Sequence, residues 1–318
     1  MADETHHDTL NLSWLQGLSI GPVPGGPKVV AIGGGHGLAV MLQAARRYAG
    51  SITAIVSVAD DGGSSGRLRE MHNVAAPGDV RKAIGALASD GSVWPSVLEH
   101  RFAFGELAGH TVGNLLLVGL SESLGSITAA CAEASRIVGA VGAIYPATSD
   151  AVTLAAEVNG TAIAGQVAIQ KAGSLGRIHN VHIVPGDGAA SPGALGAIME
   201  ADQIVVGPGS LFTSVIASVV VPEIRTALAL AAARVIQVAN CAEEAPETTG
   251  LDGTDHLLSV LEHRVRVDTF LYDRQATLRV NETNVFEHGV MPVGADLGAT
   301  PAGLYDPDRL AKALSDLL

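Results

Sequence analysis

Three glycine-rich loops, each directly behind a run of apolar, mostly β-branched residues, constrain this chain more than any other feature. Gly33-Gly34-Gly35-His36-Gly37 follows Lys28-Val29-Val30-Ala31-Ile32. Asp60-Asp61-Gly62-Gly63-Ser64-Ser65-Gly66-Arg67 follows a strand expected over 52–59. Gly207-Pro208-Gly209-Ser210 follows Gln203-Ile204-Val205-Val206. Such runs read as buried strands of a parallel sheet. In that arrangement the carboxyl ends of the strands share one edge, so loops distant in sequence meet where open α/β sheets bind ligands. Glycine admits close backbone approach, and a following helix presents free N–H groups and a positive end. The expected ligand is a phosphate-bearing small molecule.

The rest of the pattern supports an α/β fold. Helices are expected over 38–48, 93–102 and 112–120, with another opened by Pro77-Gly78-Asp79-Val80-Arg81, where Pro77 lies near the first turn. Strand-like alternation over 152–158, 161–170 and 177–184, with Asn159-Gly160 as a hairpin turn, predicts a β-rich insertion at about 146–190. Alternation of strand and helix then resumes. Strands are expected over 201–206 and 235–239, with a last buried one over 267–271. Helices are expected from near Ser210 and over 224–232, 255–264 and 306–318. Residues 1–27 read as an irregular lead with Trp14 and Leu15 as candidate docking groups, so the α/β domain is expected over 28–318.

Composition narrows the function classes. The chain is 47% apolar but only 3% aromatic, so the core is built from Ala, Val, Leu and Ile. The net charge of −13, without a Lys/Arg block, excludes a nucleic-acid polymer as partner. A small anion must then be held by a local cradle of N–H groups and a few arginines. The two cysteines, Cys131 and Cys241, suit a reducing cytosol and lack zinc-site spacing. The acidic N-terminus has no apolar signal segment, and stretches such as 215–222 are too short to span a bilayer. A cytoplasmic location without membrane insertion is expected, and the apolar composition is compatible with a homodimer.

The loops supply the candidate site. Gly33 and Gly35 match the start of a dinucleotide fingerprint, but Leu38 stands at its third glycine, and no Gly-Lys-Ser/Thr of a Walker loop follows. Four glycines in five residues still exceed what a structural turn requires. Adjacent Asp60 and Asp61 repel each other unless a ribose diol, a divalent cation such as Mg²⁺, or arginines compensate. Asp60 lies 25 residues after Gly35, about where a ribose-binding acid sits. Arg67, Arg69 and Arg81 are candidate partners for the acids or a diphosphate. Asp79 fits a helix N-cap, and Arg81 follows one turn later. His110 and Asn114, four apart, share a helical face between Gly109 and Gly113. Ser210 and Thr213 offer hydroxyls behind the third loop, and Asn240 and Glu247-Thr248-Thr249-Gly250 fall on the same edge. Cys241 has no base at a useful spacing and reads as an inert thiol. The candidate ligand set is Gly33, Gly34, Gly35, His36, Gly37, Asp60, Asp61, Gly62, Gly63, Ser64, Arg67, Asp79, Arg81, His110, Asn114, Gly207, Gly209, Ser210 and Thr213, with Asp60 and Asp61 as candidate metal ligands.

Together these segments resemble the YvcK-type gluconeogenesis factor family, within the CofD-like, 2-phospho-L-lactate transferase superfamily. The matching stretches are residues 30–38, 58–69, 77–81, 109–116 and 207–214, and the similarity runs from about Lys28 almost to the end. The resemblance implies a Rossmann-like three-layer fold that binds UDP-sugars, UDP-N-acetylglucosamine among them. It also implies a role in cell shape, cell-wall precursor supply and growth on gluconeogenic carbon, exerted on an unidentified protein. The related transferases use a metal ion to move a phospholactate group from a nucleotide-activated donor onto a deazaflavin. A metal-dependent transferase is therefore the alternative reading, and a nicotinamide dehydrogenase, weakened by Leu38, is a third. Two departures stand out. His36 replaces the threonine of many relatives, and residues 241–246 diverge from the usual loop before Glu247.

Overall fold

The computed structural model describes residues 22–318, so most of the expected lead, with Trp14 and Leu15, lies outside the described residues. The strands in chain order are β1 (Lys28–Gly33), β2 (Ser51–Val56), β3 (Ala143–Pro146), β4 (Thr153–Val158), β5 (Thr161–Ala164), β6 (Ile178–Val184), β7 (Gln203–Val206), β8 (Arg234–Val238), β9 (Thr269–Asp273) and β10 (Met291–Ala295). Seven of them form one sheet in the order β10-β9-β8-β7-β1-β2-β3, parallel throughout. The chain winds one way from β1 to β3 and the other way from β7 to β10. The order therefore reverses between β1 and β7, at a topological switch point. There Ile32 pairs with Val206, one residue before each glycine loop. The strands β5-β4-β6 form a separate antiparallel sheet.

Helices cover both faces: α1 (Gly35–Ala45), α2 (Gly63–His72), α3 (Gly78–Leu87), α4 (Trp94–Glu99), α5 (Val112–Leu124), α6 (Ile127–Val138), α7 (Gln166–Ala172), α8 (Pro192–Glu200), α9 (Ala217–Val219), α10 (Pro222–Leu230), α11 (Gly253–Glu262), α12 (Glu282–Glu287) and α13 (Pro307–Ser315). Successive side chains of β1 enter different cores, because side chains alternate across a strand. Val29 and Ala31 pack with Met41 and Leu42 of α1, Ile84 of α3 and Leu310 of α13. Val30 and Ile32 pack with Phe212, Ile224 of α10 and Leu154 of the small sheet. These are the three layers of an α/β fold, and the small sheet lies on the second face.

Several local expectations differ from the structure. The strand expected over 161–170 stops at Ala164; Gly165, at φ +99°, turns the chain, and α7 follows. The glycine–serine stretch from Gly63 is the first turn of α2 rather than a loop. The strand expected over 267–271 is shifted to Thr269–Asp273 and is not the last. β10 adds an edge strand whose Pro292, Gly294 and partial exposure hide it from periodicity. The Met291 N–H donates back toward β9, to Asp268 O at 3.0 Å. Alternate residues then face the free edge, Pro292 and Gly294 among them. Among the described residues no single helix is long and apolar enough to cross a membrane.

Ile32 is fully buried, on an interior strand of the sheet and within the second core. Ile32→Ala is expected to destabilise the fold by about 2–5 kcal/mol, read as a lower denaturation midpoint in urea.

Candidate functional site

The carboxyl edge of the sheet, at the switch point, opens into a cleft of ≈ 400 Å³. Gly35, His36 and Gly37 come from the start of α1, and Pro208, Gly209 and Ser210 from the loop after β7. Asp60 follows β2, while Asp79 and Lys82 lie on the first turns of α3. Gln166 and Gln170 of α7, Asn240, Glu243 and Glu244 after β8, and residues 302–305 complete the wall.

The two glycine loops touch through their backbones. A Cβ on Gly37 would lie 2.3 Å from Pro208 O, and one on Gly34 would lie 2.2 Å from Asp79 Oδ2. Only glycine permits that approach. No side chain caps α1, so the first N–H groups of the helix have no intrahelical partner and lie beside the cleft.

The second expected cradle is already occupied by protein. After Ser210 the chain makes a π-helical turn, Leu211–Ile216, in which the Val215 N–H reaches Ser210 O at 2.9 Å. The Phe212 and Thr213 N–H groups donate to Glu247 Oε1 at 2.6 and 3.0 Å, and the Thr213 hydroxyl donates to Glu247 Oε2 at 2.9 Å. Thr213 is therefore a buried structural partner of Glu247. Gly209 is also engaged, its N–H donating to Asn240 Oδ1 at 3.2 Å.

The cleft is acidic. Four carboxylates line it, Asp60, Asp79, Glu243 and Glu244, against Lys82 and His36. Burial holds Asp60 above the usual carboxylate range; the Gly62 N–H opposes this and the charge of Asp79 adds to it. Lys82 Nζ donates to Asp79 Oδ1 at 3.2 Å. Burial, reinforced by Lys82, pushes His36 below its ordinary value, so its ring is neutral at pH 7. Burial and the neighbouring Glu247 push Glu244 up to about 7.

Of the expected ligand residues, Gly35, His36, Gly37, Asp60, Asp79, Gly209 and Ser210 line this cleft. Gly33, Gly34 and Gly207 form the turns beneath it, and Gly62 and Gly63 start α2. Asp61 turns away: it accepts the Gln166 and Val167 N–H groups at 2.9 Å each and caps α7. The expected Asp60–Asp61 metal pair therefore does not converge, and of the acids expected from sequence Asp60 and Asp79 share the cleft, with Glu243 and Glu244. Among the described residues no group of three or more His, Cys, Asp or Glu is placed to hold a metal.

Arg81 is buried rather than ligand-facing. It pairs with Glu99 at 2.9 Å and donates to Thr111 Oγ1 and Asn114 Oδ1 at 2.9 and 2.7 Å. Asn114 in turn donates to Ser64 and Ser65, and His110 Nδ1 lies 3.1 Å from Ser64 Oγ. Ser64, Arg81, His110 and Asn114 thus form a polar brace behind the cleft. Arg67 donates to Ala108 O at 3.0 Å, outside it.

Sequence reasoning missed Lys82, Gln166, Gln170, Glu243, Glu244 and the segment 302–305. Lys82 was findable, since it lies three residues after Asp79 on the same helical face. Gln166 and Gln170 were hidden by the reading of their segment as a strand. Tyr305 and its neighbours carry no local signal.

Residues 29–302 match the CofD family, described as 2-phospho-L-lactate transferase CofD. Putative gluconeogenesis factors from Mycobacterium leprae and Mycobacterium tuberculosis are 42% and 41% identical, over 91% and 90% of this chain and 85% and 89% of theirs. A gluconeogenesis factor from Halalkalibacterium halodurans is 40% identical over 74% of this chain and 73% of its own length. The crystal structure of a UPF0052 family member from Bacillus halodurans superposes with a TM-score of 0.85 at 33% identity, covering 90% of this chain and 98% of that one.

The capping role of Asp61 makes a distinct prediction. Asp61→Ala is expected to cost about 0.5–2 kcal/mol of stability in thermal or urea unfolding, as loss of a helix cap does. Asp61 itself is not part of the lining of the cleft.

Proposed function

The chain belongs to the CofD family, in its gluconeogenesis-factor branch, and on that premise we propose that it is a cytosolic binding protein for a UDP-sugar. The observation that carries this reading is the uncapped start of α1, which meets the β7 loop in backbone contact at the switch point. A diphosphate is accommodated there by the N–H groups of Gly35, His36 and Gly37 and by the hydroxyl of Ser210. Lys82, rather than Arg67 or Arg81, is the cation at hand.

The acidity of the cleft bears on Mg²⁺. Asp60 and Asp79 supply two oxygen donors on one wall, which fits an ion that takes one or two carboxylates and completes its shell with phosphate oxygens and water. Bound there, Mg²⁺ would neutralise diphosphate charge. Asp60 and Asp79 would hold it, and Lys82 would share the load of Asp79.

We take the output to be regulatory: occupancy of the cleft alters a surface read by a protein of cell-wall precursor supply, with consequences for cell shape and gluconeogenic growth. The runner-up is a Mg²⁺-dependent phospholactate-type transferase, which the Asp60–Asp79 pair favours. Against it, among the described residues Tyr305 is the one Phe, Tyr or Trp side chain in the cleft lining, a poor platform for a flavin-like acceptor.

Calorimetry and thermal shift against UDP-N-acetylglucosamine, UDP-glucose, GDP, NAD and a deazaflavin, with and without Mg²⁺, test the proposal. UDP-sugars are expected to bind with Kd in the micromolar range, about 8 kcal/mol, and more tightly with Mg²⁺. At a hundredfold excess over Kd they add about 2.7 kcal/mol of stability. Lys82→Ala is expected to weaken binding roughly tenfold, about 1.4 kcal/mol. Stabilisation by NAD alone overturns the proposal, and turnover of a guanylated donor with deazaflavin promotes the runner-up.

A further inference from the structure

Past Val206 the backbone pairing around the switch point runs out. On one side the Gly207 N–H still donates to Ile32 O of β1 at 2.9 Å. Pro208 then has no N–H to give, so the ladder stops there. On the other side Val206, opposite Gln237, is the last residue of β7 that pairs with β8. The stretch just beyond, Gly209 and Ser210, is the cleft wall that meets the start of α1.

Gly209 is held by one side chain. Its N–H donates to Asn240 Oδ1 at 3.2 Å, and its C=O accepts from Asn240 Nδ2 at 2.9 Å. Among the described residues these are the two hydrogen bonds that the Gly209 backbone makes. Gly209 and Asn240 lie 31 residues apart, the same separation that pairs Val206 with Gln237. The Asn240 amide thus stands in for a peptide group of β8 and carries the β7–β8 pairing into the loop. An amide suits this place because it sets one acceptor beside one donor, and the orientation with Oδ1 on the N–H satisfies both ends.

Asn240 is itself anchored on each side. The Ala239 N–H donates to Leu271 O at 2.9 Å, and Ala239 O accepts from the buried Tyr305 hydroxyl at 2.8 Å. Cys241 O accepts from the Thr277 N–H and hydroxyl at 3.2 and 3.1 Å. What the amide holds in place is a close approach. A Cβ on Gly37 would lie 2.7 Å from Gly209 Cα, and one on Gly209 would lie 3.0 Å from Gly34 O. Any shift of Gly209 carries Ser210 with it and alters the spacing between this loop and the free N–H groups of α1.

Resting on the nucleotide reading above, we infer that Asn240 is a positioning residue of the cleft: its amide fixes the Gly209–Ser210 peptide at the distance from the start of α1 that a diphosphate requires. Its effect on the ligand travels through that peptide. A wall fixed before the ligand arrives raises affinity, because binding no longer carries the cost of ordering it. The loop after β8 thereby takes part in binding without touching the phosphates.

Titration calorimetry with UDP-glucose, amide exchange by NMR and urea unfolding test this on wild type, Asn240→Ala, Asn240→Leu, Ser210→Ala and the Asn240→Ala/Ser210→Ala double variant. Asn240→Leu keeps most of the side-chain volume and neither bond, so a cavity does not explain a change that both Asn240 variants share. Both are expected to bind UDP-glucose roughly tenfold more weakly in the folded fraction, which the fitted stoichiometry reports. Both are also expected to exchange the Gly209 amide faster than wild type. Ser210→Ala removes the hydroxyl that the clamp aims, which leaves less for Asn240→Ala to spoil. The double variant is therefore expected to bind at least about threefold more tightly than the product of the two single losses, since groups acting as one unit do not add. Losses that multiply in full, as a direct contact between Asn240 and the ligand predicts, overturn the inference. So do unchanged affinity in the folded fraction, Gly209 exchange at the wild-type rate, or failure of both Asn240 variants to fold, which makes the residue structural alone. Each of these leaves the nucleotide site standing. Absence of UDP-glucose binding to the wild type overturns the nucleotide reading and this inference with it.

Discussion

The site depends on two backbones meeting with nothing between them. Gly37, in the first turn of α1, lies against Pro208 O in the loop after β7, and even a methyl group would collide. That contact sits where the strand order reverses, the one place in a doubly wound sheet where neighbouring loops diverge and leave a crevice. It fixes the start of α1 at the floor of the crevice, with no side chain capping the helix. The strands that lead into the two loops, buried but for Lys28 at the start of β1, hold them at that separation. The cleft is therefore a product of sheet topology and of glycine placement together.

Around that contact, much of the polar chemistry goes into holding elements in place. Glu247 stabilises the π-helical turn Leu211–Ile216 through the N–H groups of Phe212 and Thr213, which an ordinary helix start would leave free. Asp61 caps α7, and through it ties the small sheet to the β2 loop. Arg81 joins α3 to α4 and α5 through Glu99, Thr111 and Asn114. What remains directed at the cleft is a small set: the α1 N–H groups, Ser210, Lys82 and an excess of carboxylates.

The fold was legible because its signals are local and repeated: apolar runs ending in glycine, spaced by helical segments. The parallel sheet and the convergence of the β1 and β7 loops followed from that pattern. The site was legible only in part, because residue type does not reveal direction. Asp60 and Asp61 are neighbours in sequence, yet one lines the cleft and the other caps a helix. Arg81 and Lys82 are likewise adjacent, and the buried one was the more conspicuous. In each pair the deciding factor is a partner distant in sequence, Gln166 for Asp61 and Asn114 for Arg81, which no local spacing encodes. β3 and β10 were missed for a different reason: both are short edge strands that contain a proline, Pro146 and Pro292, and lack the apolar run by which their five parallel companions announce themselves.

The second of these edge strands has a consequence for how the molecule behaves at high concentration. Along β10 the N–H of Met291 is spent on the β9 side, so the outward row begins at Pro292, which has no hydrogen to give. A foreign strand approaching this border finds Gly294 as the remaining outward donor of the five residues. Addition of a further strand along this border is disfavoured by a missing hydrogen atom.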